Sequence, residues 1–347
     1  MSVERIEIAP GLNVARIWKG GWHLSGGHGT VDHDSAVEDM KAFVEAGITT
    51  FDVADIYTGV EQLIGDFRRK HPELARRVEI NDKAVPDYDA LPTLTPAQIE
   101  ATVDRSLARL GVARVDMLQF AWWDTQRGDY LAAAKVYDGI RRRGKARFLG
   151  GINFRTPEIE AMIEGGVPLV SHQIQYSLVD DRPERSGHVA MCLKRGVKLT
   201  CYGVVAGGFI SERWLGEPEP EPPFANRSLT KYKLVIDDFG GWALFQELLA
   251  ALKRIAEKHR TSIANVAMRA MLEKPAVASV IIGAVNRNHL ADHRELARIR
   301  LDDADRAAVA AVTKKRKGPV GDVYELERNK AGRHGRIMKY NLNVGRS

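Results

Sequence analysis

Three side chains stand out by type and spacing: Asp52, then Tyr57, then Lys83 at the end of the following apolar run. A lone phenol, with a pKa near roughly 10, is a poor proton shuttle at neutral pH. An ammonium beside it favours the phenolate and lowers that value, and a carboxylate beside the ammonium keeps it charged. Brought together, Asp52, Lys83 and Tyr57 would make a proton donor and acceptor suited to interconverting a carbonyl and an alcohol. Taken singly, each has a plainer use as a rim charge or as packing. The chemistry therefore depends on elements that hold positions 52, 57 and 83 at one place.

Short β-rich apolar runs at residues 15–17, 49–53, 77–80, 115–120, 147–152, 169–174, 198–202 and 277–282 alternate with longer amphipathic stretches. The latter include residues 35–46, 96–110, 131–143, 157–164 and 242–259, with Thr95 before Pro96 and Thr156 before Pro157 as helix caps. Eight strands, most followed by a helical stretch, predict an α/β fold of the (β/α)8 TIM-barrel type. In such a barrel, polar residues at strand C-termini share one mouth, and Asp52 and Lys83 fall at two such ends. A doubly wound sheet would share part of this pattern but usually carries a glycine fingerprint after its first strand. Gly26-Gly27-His28-Gly29 has the wrong spacing for one. Residues 6–17, around Pro10-Gly11, predict an N-terminal β-hairpin placed to plug the barrel floor. Residues 207–241, with the proline–glutamate run 217–223, predict a lid-like loop. Residues 315–347 predict an extended C-terminal tail over the active-site face, and the whole chain, 1–347, is expected to form one barrel domain.

The 347 residues are 44% hydrophobic, enough for a substantial core. The formal charge of +6 invites a nucleic-acid reading. Much of the excess, however, sits in the tail from Lys314-Lys315-Arg316-Lys317 to Lys339, without a recognition motif or stacking aromatics. No nucleic acid is expected. No apolar stretch approaches the roughly 20 residues that span a bilayer, so no membrane is expected either. The opening MSVERIEIAP lacks a basic and apolar leader, and Cys192 and Cys201 make no disulfide framework; both point to the cytoplasm. His23, His28 and His33 are evenly spaced in one loop, which defines no coordination geometry, and no metal is expected.

The run Gly47-Ile48-Thr49-Thr50-Phe51-Asp52-Val53-Ala54-Asp55-Ile56-Tyr57, followed by Glu61-Gln62-Leu63-Ile64-Gly65, resembles the signature of the aldo-keto reductase family. Residues 144–154 look like that family's strand-five segment, His172-Gln173-Ile174-Gln175-Tyr176 its strand six, and Val280-Ile281-Ile282-Gly283-Ala284 its strand eight. The resemblance runs in order from about residue 15 to 301. It implies that Asp52, Tyr57 and Lys83 are catalytic and that the cofactor is NADP(H), with NAD(H) as the alternative. It also implies that Asn153 and Gln173 bond the nicotinamide carboxamide and that Tyr202 stacks on the ring. The pyrophosphate would run along residues 203–210, including Gly203, Val204, Ala206 and Gly208. The adenosine phosphate would meet Gly283, Ala284, Arg287, His289 and His293, and Gly21 and Trp22 would border the cofactor. Trp22 also counts with His23, Ala121, Trp122 and Trp123 as substrate pocket. Plainer uses stand beside these: Asn153 as a turn residue, Gln173 as a barrel polar group, Tyr202 as packing.

The chain departs from the family pattern at Ala121, where a histidine usually donates a hydrogen bond to the substrate carbonyl. Losing such a donor typically costs about 3–4 kcal/mol of transition-state stabilisation. An indole N–H could replace it. Strand alternation favours Trp123 and family comparison favours Trp122, the latter being preferred here. Alternatively, the alanine makes room for a bulkier substrate, or turnover is slow or directed at alcohols. A second departure is Val285, where members preferring the 2′-phosphate often carry a polar or basic residue; Arg287 and His289 could compensate. The expected activity is hydride transfer between the cofactor and a small carbonyl or alcohol, with Tyr57 handling the proton. The aromatic supply around the site suggests a hydrophobic or ring-bearing substrate. The alternatives are a sugar or secondary-alcohol dehydrogenase, and an NADP(H)-binding sensor subunit with little turnover.

Overall fold

Strands covered by helices outside and side chains inside are buried on both faces and read as near-continuous apolar runs. The computed structural model describes residues 3–343 and shows this pattern clearly in the last strand, where Val277 through Ile282 are all buried. The strands are β1 (Arg5–Ala9), β2 (Leu12–Ala15), β3 (Ile17–Gly20), β4 (Thr50–Asp52), β5 (Glu79–Ala84) and β6 (Val115–Phe120). They continue with β7 (Ala146–Ile152), β8 (Leu169–Gln175), β9 (Lys198–Tyr202) and β10 (Val277–Gly283). From β3 to β10 they pair in chain order, all parallel, and β10 returns to β3 to close a (β/α)8 barrel. The tail expected over residues 315–347 is described as far as 343; residues 344–347 lie outside the described part.

The hairpin β1–β2 is antiparallel, and its Ile8, Leu12 and Val14 pack with Met117, Ala278, Phe148 and Val170. Those four partners sit near the starts of their strands, so the hairpin covers the N-terminal end of the barrel. The other end is left for chemistry.

Three expectations need correction. The first barrel strand is Ile17–Gly20, not residues 15–17, because Ala15 completes the hairpin. Lys19 and Gly20 disguised the strand, yet Lys19 is buried, with its ammonium 5.3 Å from the Phe43 ring centroid. Residues 207–241 are not all loop: Asn226 caps a helix, Arg227–Phe239, by accepting from Leu229 N–H. Finally, Thr156 begins its helix and does not cap it; Arg155 holds the cap position, and its backbone N–H donates to Glu158. The Thr95–Gln98 capping box, by contrast, stands where Pro96 placed it.

Candidate active site

Register brings the charged residues together. Asp52, the last residue of β4, is opposite Asn81 of β5. Side chains alternate along a strand, so Lys83, two positions further, points to the same side as Asn81. One carboxylate oxygen of Asp52 consequently accepts from Lys83 Nζ at 2.7 Å, Asn81 Nδ2 at 2.7 Å and Gln173 Nε2 at 3.0 Å. All four side chains are buried. Removing one partner of such a pair would strand a charge in a low dielectric, so the set acts as a unit.

Tyr57 follows in the turn after β4, its backbone N–H donating to Ala54 O at 2.9 Å. Lys83 Nζ lies 5.1 Å from its ring centroid, and Trp22 meets the ring edge-on at 5.2 Å. Burial pushes the phenol well above its ordinary value of 10.0, and the charge of Asp52 adds to the rise. The lowering expected from Lys83 is therefore absent at rest. Burial is the larger cause, and the Asp52 carboxylate, 2.7 Å from the ammonium, opposes the field of Lys83 at the phenol. Tyr57 is held as a neutral acid carrying its proton.

These residues open on a cavity of about 760 Å³. Within it the structure gathers Asp52, Tyr57 and Lys83 with Trp22, His23, Ala121, Trp122 and Trp123. It also gathers Asn153, Gln173, Tyr202, Gly203, Gly208, Gly283, His289 and His293. Other expected cofactor contacts fall outside the lining. Val204 and Ala206 are fully buried in the core, and Gly21 spends its N–H on Asp52 O at 2.7 Å. The Ala284 carbonyl faces Lys19 Nζ at 3.5 Å. Arg287 is on the surface, 3.4 Å from Asp39.

Several lining groups fit a nicotinamide cofactor. Gln173 Oε1 is buried and has no partner among the described residues, so it is an acceptor that a carboxamide N–H would satisfy. Asn153 adopts a φ of 60°, a left-handed conformation that asparagine tolerates better than most residues, and its Oδ1 accepts from Tyr202 Oη at 2.8 Å. That bond ties the orientation of one side chain to the other. Gly203 has a φ of +75°, and a Cβ there would lie 2.4 Å from Tyr232 Oη, so only glycine lets the chain leave β9 on this path. His23, lowered to about 3 by burial and by the neighbouring His28 and Lys19, is neutral and lies against Gly283. Among the described residues no group of three or more His, Cys, Asp or Glu is arranged to hold a metal ion.

Neither tryptophan beside Ala121 offers its N–H to the cavity. Trp122 Nε1 donates to Arg127 O and Trp123 Nε1 to Pro86 O, each at 2.9 Å. The expected replacement donor is thus spent on loop carbonyls. The structure also adds lining residues that were not anticipated, chiefly Arg227, Lys231 and Tyr232 from the 227–239 helix and Arg328 and Met338 from the tail, beside Tyr324, whose ring belongs to the aromatic supply expected there. The i,i+4 spacing of Arg227 and Lys231 was a usable signal, hidden by reading that segment as loop.

The chain belongs to the aldo/keto reductase family, whose model matches residues 16–314. Among similar proteins is 6-dehydroglucose reductase of Agrobacterium fabrum, 25% identical over 325 residues covering 86% of this chain and 94% of that one. The L-glyceraldehyde 3-phosphate reductase of Escherichia coli K12 is 26% identical over 306 residues, covering 82% and 84%. Flagellar radial spoke protein 5 of Chlamydomonas reinhardtii is 28% identical over 256 residues, but the match spans only 48% of that protein. The barrel superposes on a thermostable aldo-keto reductase solved with the inhibitor epalrestat, with a TM-score of 0.70 and 22% identity, covering 89% of this chain and 100% of that one. Among the described residues no helix is long and apolar enough to cross a membrane.

Proposed function

We propose that the protein is an NADP(H)-dependent oxidoreductase that interconverts a carbonyl and an alcohol, with Tyr57 as proton donor and acceptor. The observation that carries this is the buried Asp52–Lys83 pair set under the Tyr57 ring at the wall of the cavity. A bound nicotinamide would supply or accept the hydride. Asn153 and Gln173 would hold its carboxamide, Tyr202 would back the ring, and Gly203 and Gly208 would leave room for the phosphates. His289 lines the cavity, and Arg287, loosely paired and exposed, is free to turn toward a 2′-phosphate.

In reduction, the Tyr57 hydroxyl arrives protonated and donates to the carbonyl oxygen as negative charge develops there. Lys83 then stabilises the phenolate that remains, so its charge matters most in the transition state. In oxidation the phenolate takes the alcohol proton back. With both indole N–H groups engaged, polarisation of the carbonyl rests on Tyr57. The names of two relatives, a dehydroglucose reductase and a glyceraldehyde phosphate reductase, support a small carbonyl compound as substrate.

A second function, cofactor sensing with little turnover, is favoured by one observation: the donor missing at Ala121 is not restored by either indole. Following nicotinamide absorbance with NADPH and an aldehyde panel, and with NADP⁺ and an alcohol panel, separates the two. Turnover that Tyr57→Phe abolishes, while NADPH still quenches protein fluorescence, supports the oxidoreductase. Tight binding with no turnover on either panel supports the sensor.

A further inference from the structure

Six lysine and arginine side chains line the cavity against three carboxylates. One cation, Lys83, is matched by Asp52. Two others, Arg227 and Lys231, lie one helical turn apart on the same face of the 227–239 helix. Among the described residues neither side chain makes an ion pair or hydrogen bond. Lys231 Nζ sits among tyrosine rings, 5.1 Å from the centroid of Tyr202, 5.6 Å from Tyr232 and 5.4 Å from Tyr324. The Arg227 guanidinium is 5.7 Å from the Trp22 ring centroid. The carboxylate whose field reaches Lys231 most strongly, Glu327, is already committed to Arg182 through bonds of 2.9 and 3.0 Å. Burial lowers the pKa of both groups, the mark of cations that lose water without gaining a full counter-charge.

Their position decides what they face. Trp22 touches Tyr57, and Tyr202 is bonded to Asn153, so both cations border the reacting end of the cavity. The glycine loop after β9 and Arg213 supply the stretch suited to the phosphates of a cofactor. We propose that Arg227 and Lys231 form an anion subsite that selects carbonyl substrates bearing a carboxylate or phosphate a few bonds from the reacting carbon. The subsite presupposes the oxidoreductase function above and narrows its substrate class. It also revises the expectation of a merely hydrophobic substrate: the aromatic rings line the walls, and two cations stand between them.

Matched aldehydes test this: succinic semialdehyde against butanal, and para-carboxybenzaldehyde against para-tolualdehyde, with NADPH. The wild-type protein should show a higher kcat/KM for the acid of each pair, chiefly through KM. In Arg227→Gln and in Lys231→Met the acid-to-neutral ratio should fall by about tenfold or more, as expected when a charged hydrogen bond is lost. Lys231→Arg should retain most of the ratio. An unchanged ratio overturns the proposal. So does a loss of NADPH affinity, read by fluorescence quenching, without a change in the ratio, because the cations would then serve cofactor phosphates. A binding arm separates this from failure of the oxidoreductase function. If no aldehyde is turned over, calorimetric binding of benzoate to the NADP⁺-loaded protein, weakened in both variants, still supports the subsite; benzoate binding that neither variant weakens removes it.

Discussion

Glu327→Gln probes how the tail is held over the cavity. Arg182, Asp180 and Glu327 are all at most 1% exposed. Arg182 donates to Glu327 at 2.9 and 3.0 Å and to Asp180 at 2.7, 3.0 and 3.2 Å. Burial alone would raise the Glu327 pKa, but the guanidinium, assisted by Lys231, outweighs it and brings the carboxyl from 4.5 down to about 2. That gap corresponds to about 3 kcal/mol of stability, fully present above pH 4.5 and lost as pH falls toward 2. Glutamine keeps the shape and one acceptor, and Arg182 keeps Asp180. The variant should therefore lose about 2–3 kcal/mol at pH 7, less than the 3–5 kcal/mol typical of a fully stranded buried charge. Arg182→Met, which leaves two carboxylates facing each other, should be worse. Urea unfolding followed by tryptophan fluorescence reads both, since Arg328 of the same tail segment donates to the carbonyls of Trp122 and Trp123. The gap between wild type and Glu327→Gln should narrow below pH 4.5. A loss under about 0.5 kcal/mol at pH 7, or a gap that stays constant down to pH 3, would refute the anchoring role.

Tyr57→Phe should eliminate carbonyl reduction with cofactor affinity retained; normal turnover would remove the phenol from the mechanism. Trp122→Phe should slow turnover by less than about threefold while costing about 1 kcal/mol of stability in a melt, because its N–H serves Arg127 O. A large rate loss at unchanged stability would restore the indole as a substrate donor. Gly203→Ala should destabilise the fold by about 1–3 kcal/mol, since both the positive φ and Tyr232 oppose a methyl group, and it should weaken NADP(H) binding in a fluorescence titration. A variant as stable as wild type would show that the loop tolerates another path.

Signals that lie within a strand and its following turn were readable from residue order. The β-rich runs gave the barrel strands to within a few residues, and the position of Asp52 and Lys83 at strand ends implied a common mouth. What order could not show was where a donor points. Trp122 and Trp123 face carbonyls at 127 and 86, and nothing in their own segment records that. Desolvation was equally hidden: three residue types suggested an acidified phenol, whereas burial, with the charge of Asp52 adding to it, raises the phenol's pKa. The 227–239 helix was masked by the proline run before it. The tail was read as aperiodic because its anchors are long-range: Glu327 meets Arg182 145 positions away, Asp322 accepts from Thr156, and Asp87 accepts from the backbone N–H groups of Leu342 and Asn343.

Tail anchors placed outside the barrel strands, at Arg182, Thr156 and Asp87, give the molecule a modular character. Asp52 and Lys83 are housed in staves whose spacing every neighbouring strand enforces, yet part of the chamber wall is furnished by Tyr324, Arg328 and Met338, which belong to no stave. Exchanging the cavity-facing residues of the 320–343 segment, while keeping Glu327 opposite Arg182, Asp322 at Thr156 and the backbone bonds to Asp87, would reshape what enters without disturbing the Asp52–Lys83 pair. Diversification of substrate range is cheapest along this panel.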